Sequence, residues 1–282
     1  MLDDENLRHV FSTVERSLPL FIETIGYSAW ERVFHRPAGY HHYHWLHTIV
    51  GEGKIEQLGE ITALSAGMGV LLPPFSPHTY YPTSDRWSTI YITFGGASVS
   101  SVMDALEMNK SIIYKESEEG LFGPLFVDII TNIGLDGELS AMEASTELYR
   151  FLIHLRKFSR QHDQPSLSQF YEKLAPIVSW MELNLNKNIG LSEIAQYAGI
   201  GVSSLHEQFQ TAFGVSPYSF LIQLRIRETK RILVNQPQLA LKDVAIHTGF
   251  NDVSHFVATF RRKEGITPGK YRELYHSQET VD

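Results

Sequence analysis

The sequence contains no cysteine among its 282 residues. Disulfides, zinc fingers, thiolate metal sites and cysteine nucleophiles are therefore excluded, and their absence fits a reducing cytoplasm. Long apolar runs are also missing, because no stretch approaches the roughly eighteen residues that a membrane-spanning helix needs. The first ten residues are acidic and polar, which is not the composition of a signal peptide. We therefore expect a cytoplasmic protein with no membrane partner.

Positive charge is scarce and unevenly distributed. The chain carries 24 Lys or Arg against 32 Asp or Glu, for a net charge of −8. Residues 1–168 hold 12 basic side chains against 21 acidic ones, whereas residues 209–272 hold ten against four. A local basic segment on an acidic chain is what contact with nucleic-acid phosphates requires. A solvated, charged helix face is the alternative explanation of the same segment.

The length and the pattern of apolar residues predict two domains of different class. Between residues 30 and 95, short apolar runs alternate with Gly and Pro, which is typical of strands in a small barrel or sandwich. The runs lie at 43–50, 61–64, 70–72 and 89–94. Apolar residues then recur at helical spacing over 121–160, and the polar segment 161–168 is predicted to be a linker. We predict an α+β protein with domains at 1–160 and 169–282, the second entirely helical.

One segment of the C-terminal domain is repeated. Residues 191–200 (LSEIAQYAGI) and 241–250 (LKDVAIHTGF) share the order Leu, acidic, branched, Ala and Gly, fifty residues apart. The Gly is expected to end a helix, because it can adopt the left-handed backbone of a tight turn. A second amphipathic helix follows each copy, at 202–213 and at 253–264. Their inward positions hold Leu205, Phe209, Phe213, Phe256 and Phe260. The repeat predicts two helix-turn-helix units joined by a helix at 217–234.

Several motifs around this repeat carry a family resemblance. They are GVSP at 214–217, LRI at 224–226, GFNDVSHF at 249–256, FRR at 260–262 and GITPGKYR at 265–272. Together they resemble the AraC/XylS family of bacterial transcription regulators, over roughly residues 172–274. One departure is Thr229, where the family usually has a small Ala on the linking helix.

The resemblance implies which side chains contact DNA. Base edges are expected to be contacted by Ser203, His206 and Glu207 in the first unit and by Val253, Ser254, His255 and Ala258 in the second. Four basic residues are expected to pack within the domain or to position phosphates. These are Arg225, Arg261, Arg262 and Lys263.

The N-terminal domain carries a looser resemblance. The spacing Gly67-x5-Pro73-x-Phe75-x2-His78 resembles the second motif of cupin barrels, with Phe75 replacing the usual Gly. Arg36-Pro37-Ala38-Gly39 resembles the opening of the sugar-sensing barrel of the AraC family. The resemblance implies a cupin-like β-barrel with a small ligand in its mouth. The residues that it implies for this pocket are Arg36, His78, Tyr80 and Tyr91, with Tyr91 where the family's arabinose sensor has a Trp.

A group of histidines at 41, 42, 44 and 47 offers an alternative. His42 and His44 would lie on one face of a strand, and with His78 they would supply three imidazoles for a divalent metal, as in catalytic cupins. The acidic ligand that those enzymes place a few residues after the second His is missing, since Thr48 and Ile49 stand there. We therefore expect no metal and no other cofactor. A metal-binding cupin enzyme fused to a DNA-binding domain remains the alternative.

Taken together, these features predict a transcription regulator and not an enzyme. The expected partners are a double-stranded DNA operator, RNA polymerase, a small sugar as effector and a second copy of the chain. The helices of 121–160 are expected to form the dimerisation element, as the family resemblance implies. The expected role is that of an activator of genes for carbohydrate uptake or utilisation. A regulator that senses a ligand other than a sugar is the remaining alternative.

Overall fold

A computed structural model describes residues 6–11, 18–118, 120–133, 140–161 and 164–276 of the chain. Contacts divide the chain into two compact units, Met1–Ser168 and Gln169–Asp282. Each unit has its own buried apolar core. Within the described ranges, no helix is both long and apolar enough to cross a membrane.

The first unit is built on one antiparallel sheet. Its strands in the described residues are β1 (Leu7–Val10), β2 (Phe21–Ser28), β3 (Phe34–Arg36), β4 (Tyr43–Gln57), β5 (Glu60–Ser65), β6 (Met68–Leu72), β7 (His78–Gly95), β8 (Ile112–Glu116) and β9 (Ser159–Arg160). They follow the spatial order β1-β2-β7-β4-β6-β8-β9, with β3 paired to β7 and β5 paired to β4. Strand β4 pairs with β7 along most of its length. β4 also pairs with β6 near its start and with β5 near its end.

The sequence prediction ended the strand of β4 at residue 50, which is wrong. The strand continues to Gln57 through the segment Gly51-Glu52-Gly53, with register irregularities on either side of Gly51. Gly53 lies against the ring of Trp87, so that any Cβ there would overlap the indole. These glycines permit close approach and a bend within the strand, and they do not end it.

Among the residues of the first unit that the structure describes, three helices accompany the sheet: α1 (Val99–Ala105), α2 (Phe122–Ile133) and α3 (Ser140–Phe158). The predicted apolar stripe of 121–160 lies on α3, where Leu148, Phe151, Leu152 and Leu155 are buried in the same core as Trp45 of the sheet. The opposite side of α3 exposes Met142, Tyr149 and Ile153. The apolar stripe of α3 therefore packs in the core of the first unit, and a second, smaller apolar face of α3 is exposed on the surface.

The regular elements in the described residues of the second unit are all helices. The helices are α4 (Leu167–Leu183), α5 (Leu191–Ala198), α6 (Val202–Phe213), α7 (Pro217–Asn235), α8 (Leu241–His247), α9 (Val253–Glu264) and α10 (Pro268–His276). Because α4 begins at Leu167, the last two residues of the predicted linker are helical. The predicted class, a β-rich N-terminal part followed by a helical part with two helix-turn-helix units, is confirmed.

Helix α7 belongs to both cores of the second unit. Leu221 and Leu224 pack in the core formed with α4, α5 and α6, whereas Ile222 and Ile226 pack in the core formed with α8 and α9. The helix starts at Pro217, and the Ser216 hydroxyl accepts a hydrogen bond from the Ser219 backbone N–H. Its 19 residues correspond to a rod of about 28 Å at 1.5 Å per residue.

Candidate DNA-binding surface and ligand pocket

The turn of each helix-turn-helix unit follows from the repeated sequence. Gly199 and Gly249 have φ of +65° and +77°, the left-handed conformation that the repeat predicts. The residue after each Gly donates its backbone N–H to the carbonyl of the repeated Ala, at 3.3 Å from Ile200 to Ala195 and at 2.8 Å from Phe250 to Ala245. The repeat thus encodes the same helix-ending turn twice.

The second helix of the first unit is α6, which is amphipathic as predicted. Leu205 and Phe209 are fully buried, and Phe213 is half-buried against them. The three side chains predicted to contact bases lie exposed on the other side of α6: Ser203, His206 and Glu207. Their exposed side is the surface that a major groove can accept.

The second helix of the second unit is α9. Asp252 caps it by accepting a hydrogen bond of 2.6 Å from the His255 backbone N–H. Phe256 and Phe260 are fully buried. The six side chains that the sequence assigns to DNA contact are all exposed: Val253, Ser254, His255, Ala258, Arg261 and Arg262. Five of them, all but His255, line one open groove together with Gly265 and Thr267.

Arg225 does not share this surface. It is 4% exposed, and its guanidinium donates to the carbonyls of Leu185, at 2.9 Å, and of Lys187, at 2.8 Å. It also lies 5.8 Å from the centre of the Phe250 ring. The sequence left Arg225 with either a packing role or a phosphate-positioning role, and these contacts show that it packs within the domain. It ties α7 to the segment before α5 and to the turn before α9, whereas Lys263 is exposed on α9.

Gly249 lies at the same junction. A Cβ on Gly249 would overlap the carbonyl oxygen of Leu185 and approach the Arg225 guanidinium to 2.8 Å. The corresponding position of the first unit, Gly199, has nothing within 4 Å of such a Cβ. The two repeated glycines therefore share a backbone conformation but not their surroundings.

A cavity of about 300 Å³ opens inside the first unit between β1, β2, β3, β4 and β7. Three of the predicted ligand residues line it: Arg36, Tyr80 and Tyr91. The fourth, His78, is not in the lining. It is buried behind the Tyr80 ring with Nδ1 2.8 Å from the Ser76 carbonyl oxygen, and its Nε2 has no hydrogen-bond partner among the described residues.

The cavity wall combines charges with aromatic rings. Arg36 Nη1 lies 3.3 Å from His44 Nδ1, and its guanidinium lies 4.6 Å from the centre of the Tyr40 ring. Burial, together with Arg36 and His78, holds the pKa of His44 well below its usual range, so this imidazole is neutral and accepts from Arg36. Burial raises the pKa of the Glu31 carboxyl, which accepts hydrogen bonds from the Thr89 hydroxyl and the Arg32 backbone N–H.

Several lining residues escaped sequence analysis. They include Arg8, Trp30, Glu31, Tyr40 and Thr93, whereas His44, which the sequence singled out with the other histidines, also lines the cavity. Strands β1 and β2 contribute part of the wall, and neither was predicted. β1 pairs with β2, and β2 in turn pairs with β7, which lies far away in sequence. A charged pair such as Glu31-Arg32 after an apolar strand was the one local signal available.

The His42, His44 and His78 triad, which the sequence left as an alternative, does not form among the described residues. His42, His44 and His78 are not close enough to share an ion, since among the described residues the one group with ligand atoms within 4.8 Å of one another is Glu23, His41 and His42. His42 precedes β4 and does not lie on it, so it does not alternate with His44 along a strand.

Comparison with known proteins places this geometry in a family. A model described as an AraC-like ligand binding domain matches residues 21–152, and one described as a helix-turn-helix domain matches residues 194–274. The chain belongs to the AraC family of transcription regulators. The first match covers most of the described sheet together with α1, α2 and most of α3, and the second begins within α5 and covers the rest of the two helix-turn-helix units.

Three curated relatives indicate how far the similarity extends. The thermoregulatory protein LcrF of Yersinia pestis is 27% identical over 181 residues, covering 63% of this chain and 62% of LcrF. The HTH-type transcriptional activator RhaS of Escherichia coli O157:H7 is 27% identical over 124 residues, or 44% of this chain and 43% of RhaS. The Msm operon regulatory protein of Streptococcus mutans is 23% identical over 236 residues, or 81% and 83%. The chain thus spans less than two thirds of LcrF and of RhaS.

Proposed function

We propose that this protein is a sequence-specific DNA-binding transcription regulator, in which α6 and α9 enter the major groove of a double-stranded operator. One observation carries the proposal. Each of these helices buries its apolar side in its own core and exposes the side chains that the family pattern assigns to base contact. Helix α7 is shared by both cores, so the two units are held on one rod. Such an arrangement suits half-sites about one helical turn, 10–10.5 base pairs, apart.

The two units would read DNA by different chemistry. Glu207 can accept a hydrogen bond from a cytosine amino group, and His206 can donate to a purine acceptor. Val253 and Ala258 offer only apolar contact, for instance with thymine methyl groups. Arg261 and Arg262, at the end of α9, would contact phosphates, which position a protein without reading its sequence. The first unit should therefore discriminate between bases more strongly than the second.

Selection of binding sites from a random duplex library by the full-length protein tests this function. We expect enrichment of a two-part site whose halves are about one helical turn apart. The half with the stronger base preference should be the one that α6 contacts. A library that shows no enriched sequence after repeated rounds would overturn the proposal.

Substitutions on the two helices should affect binding in different ways. Glu207→Ala should relax base preference at one position of the selected site, at a cost of about 1–3 kcal/mol against the preferred base. Arg262→Ala should weaken binding to all sequences alike and reduce the slope of log affinity against log salt by about 1. Fluorescence anisotropy with each single-base variant of the site measures both effects. Lys187→Ala, on the turn before α5, is the matched control. If the two variants lost the same affinity at every sequence, the assignment of roles would be wrong.

We infer further that the protein is a homodimeric activator that acts in the cytoplasm and contacts RNA polymerase. The similarity to RhaS, a transcriptional activator, supports the sign of regulation. The exposed apolar residues Met142, Tyr149 and Ile153 on α3 support a contact between two copies. A reporter gene downstream of the selected site should be expressed more strongly with the protein than without it, and lower expression would show a repressor.

We also propose that the cavity of the first unit binds a small sugar, and that the regulated genes serve carbohydrate uptake or utilisation. The volume of about 300 Å³ is at the lower end of ligand pockets. Arg36 as donor, the Glu31 carboxylate as acceptor, and the Tyr80 and Tyr91 hydroxyls suit a polyhydroxylated ring. The Trp30 ring at the cavity edge supplies an apolar face for stacking.

A second candidate ligand has an observation of its own. Arg8, Arg32 and Arg36 all line the cavity, and an arginine fork matches a carboxylate or phosphate group. A small organic acid is therefore the alternative to a neutral sugar, and the protein would then be a regulator that senses a non-sugar ligand.

Thermal-shift screening with neutral sugars and with organic acids separates these two candidates. A ligand that binds the folded protein raises the melting temperature. We expect a neutral sugar to raise it, and Arg36→Gln to lower the affinity by at least about tenfold, because a hydrogen bond to a charged group contributes roughly 1.5–3 kcal/mol. The control is Arg156→Gln, which removes a surface partner of Glu107. A shift with acids alone would favour the alternative ligand.

A further inference from the structure

Glu23, His41 and His42 bring three potential metal-ligand atoms together beside the wall of the ligand cavity. His41 Nε2 lies 3.5 Å from Glu23 Oε1, and His42 Nε2 lies 3.9 Å from the same oxygen. All three ligand atoms lie within 4.8 Å of one another. Glu23 stands on β2, whereas both histidines lie in the segment just before β4.

These spacings are close to those of a bound ion. Zinc bonds of 2.0–2.1 Å in tetrahedral geometry place neighbouring ligand atoms about 3.3 Å apart. The two N···O separations exceed that value by about 0.2 and 0.6 Å, and all three ligand atoms lie within 4.8 Å of one another, so side-chain rotations would close the site. Two imidazoles and one carboxylate suit zinc and the neighbouring first-row divalent cations, and they leave a position open for water or another ligand.

The second oxygen of Glu23 is fixed by its surroundings. The Tyr40 hydroxyl donates to Glu23 Oε2 at 2.6 Å, and the Thr93 hydroxyl donates to it at 3.1 Å. Oε1 is the oxygen that is directed to both histidines. Hydrogen bonds of this kind orient a ligating carboxylate, and their removal typically weakens metal binding 10–100-fold.

The ring of His42 is also held in place. It packs edge-on against Phe21, with centroids 5.3 Å apart, and it lies 4.2 Å from the ring of His41. Gly95 makes this position possible, because a Cβ on residue 95 would come within 2.7 Å of His42 Nδ1. The side chain of His41 is 53% exposed, against 9% for Glu23, so an ion can reach the buried carboxylate from solvent through His41.

We propose that Glu23, His41 and His42 bind one first-row divalent cation, with zinc as the reference ion. The site differs from the cupin triad considered from sequence, because its carboxylate comes from another strand and neither His44 nor His78 takes part. Tyr40 joins the site to the cavity, since its hydroxyl holds Glu23 while its ring lines the cavity wall. An ion here would fix that part of the wall.

Titration of the chelator-treated, full-length protein with zinc tests the site directly, by calorimetry. We expect one equivalent of zinc to bind per chain and to raise the melting temperature. His41→Asn and His42→Asn should each weaken binding at least about 100-fold, and Thr93→Val should weaken it about 10–100-fold. His154→Asn, which removes a half-buried imidazole from α3, is the control and should bind as the wild type does.

A second measurement keeps the test valid if a variant is poorly folded. Cobalt(II) substituted for zinc should give visible absorption of tetrahedral intensity in the wild type and in His154→Asn. The proposal is overturned if no zinc binds, or if binding survives both His41→Asn and His42→Asn. Because His41 is exposed, its substitution leaves the buried core intact, so a lost signal in this variant reports on the site.

Discussion

Replacing Gly249 with Ala is expected to lower the free energy of unfolding of the second unit by about 2–5 kcal/mol. A non-Gly residue in the left-handed conformation costs about 1–2 kcal/mol, and overlap with packed neighbours adds about 1–3 kcal/mol. The overlap here is with the main-chain carbonyl of Leu185, which no side-chain rotation can relieve. The clash would also push against Arg225, which is buried at the same junction.

The repeat supplies the control for this substitution. Gly199→Ala introduces the same left-handed strain at φ +65°, but nothing lies within 4 Å of the added Cβ. It should therefore cost only about 1–2 kcal/mol. Amide hydrogen exchange in α8 and α9 measures the first effect, and exchange in α5 and α6 measures the second. Equal losses in the two variants would show that Gly249 is not at a packed junction.

Acid is expected to destabilise the first unit through His47. Burial lowers the pKa of this histidine to about 3, against 6.5 in an unfolded chain. Its ring is stacked on those of Trp45 and Tyr114, and Nδ1 lies 3.0 Å from the Tyr114 hydroxyl. Although Glu116 Oε2 lies 3.8 Å from Nε2, that carboxylate already accepts three backbone N–H groups at the start of α2. Desolvation of the imidazolium therefore dominates.

The sign of the effect follows from the two pKa values. Above pH 6.5 the imidazole is neutral in both states and contributes no pH dependence. Between pH 6.5 and about 3 only the unfolded chain takes up the proton, so the free energy of unfolding falls by about 1.4 kcal/mol per pH unit. By pH 5 the loss that is due to His47 should reach about 2 kcal/mol.

Urea denaturation at pH 7.5 and pH 5 isolates this contribution. His47→Gln retains a hydrogen-bonding partner for Tyr114 but carries no titrating imidazole. The variant should therefore lose less stability on acidification than the wild type does, by about 2 kcal/mol. His154→Gln should behave as the wild type. Parallel losses in the wild type and His47→Gln would contradict the account of His47.

The helix-turn-helix units could be predicted from sequence because their signals are local. The left-handed glycines, the apolar spacing of Leu205, Phe209, Phe256 and Phe260, and the Pro at the start of α7 all act within a few residues. Each feature fixes a turn or a buried face without reference to distant parts of the chain. The structure follows that pattern to within a residue or two at most helix ends.

The sheet could be predicted only in part, because its pairing is distant in sequence. β2 pairs with β7, about seventy residues away, and it carries no alternating pattern because six of its eight residues are buried. Gly51 and Gly53 resemble strand ends in sequence. They lie within a strand because the Arg86 carbonyl closely approaches Gly51 and the Trp87 ring closely approaches Gly53. Glu23 and Glu31 were also missed, because neither belongs to a local sequence motif, although they contribute to the histidine cluster and to the cavity wall.

The ratio of the affinity for the selected duplex to the affinity for a scrambled duplex of equal length tests the central claim most directly. It should be measured with the full-length protein over a range of salt concentrations. A regulator that reads bases with α6 and α9 should bind the selected duplex about a thousandfold or more tightly, and both affinities should fall as salt rises. Equal affinities for the two duplexes at every salt concentration would contradict the assignment of these helices to sequence recognition.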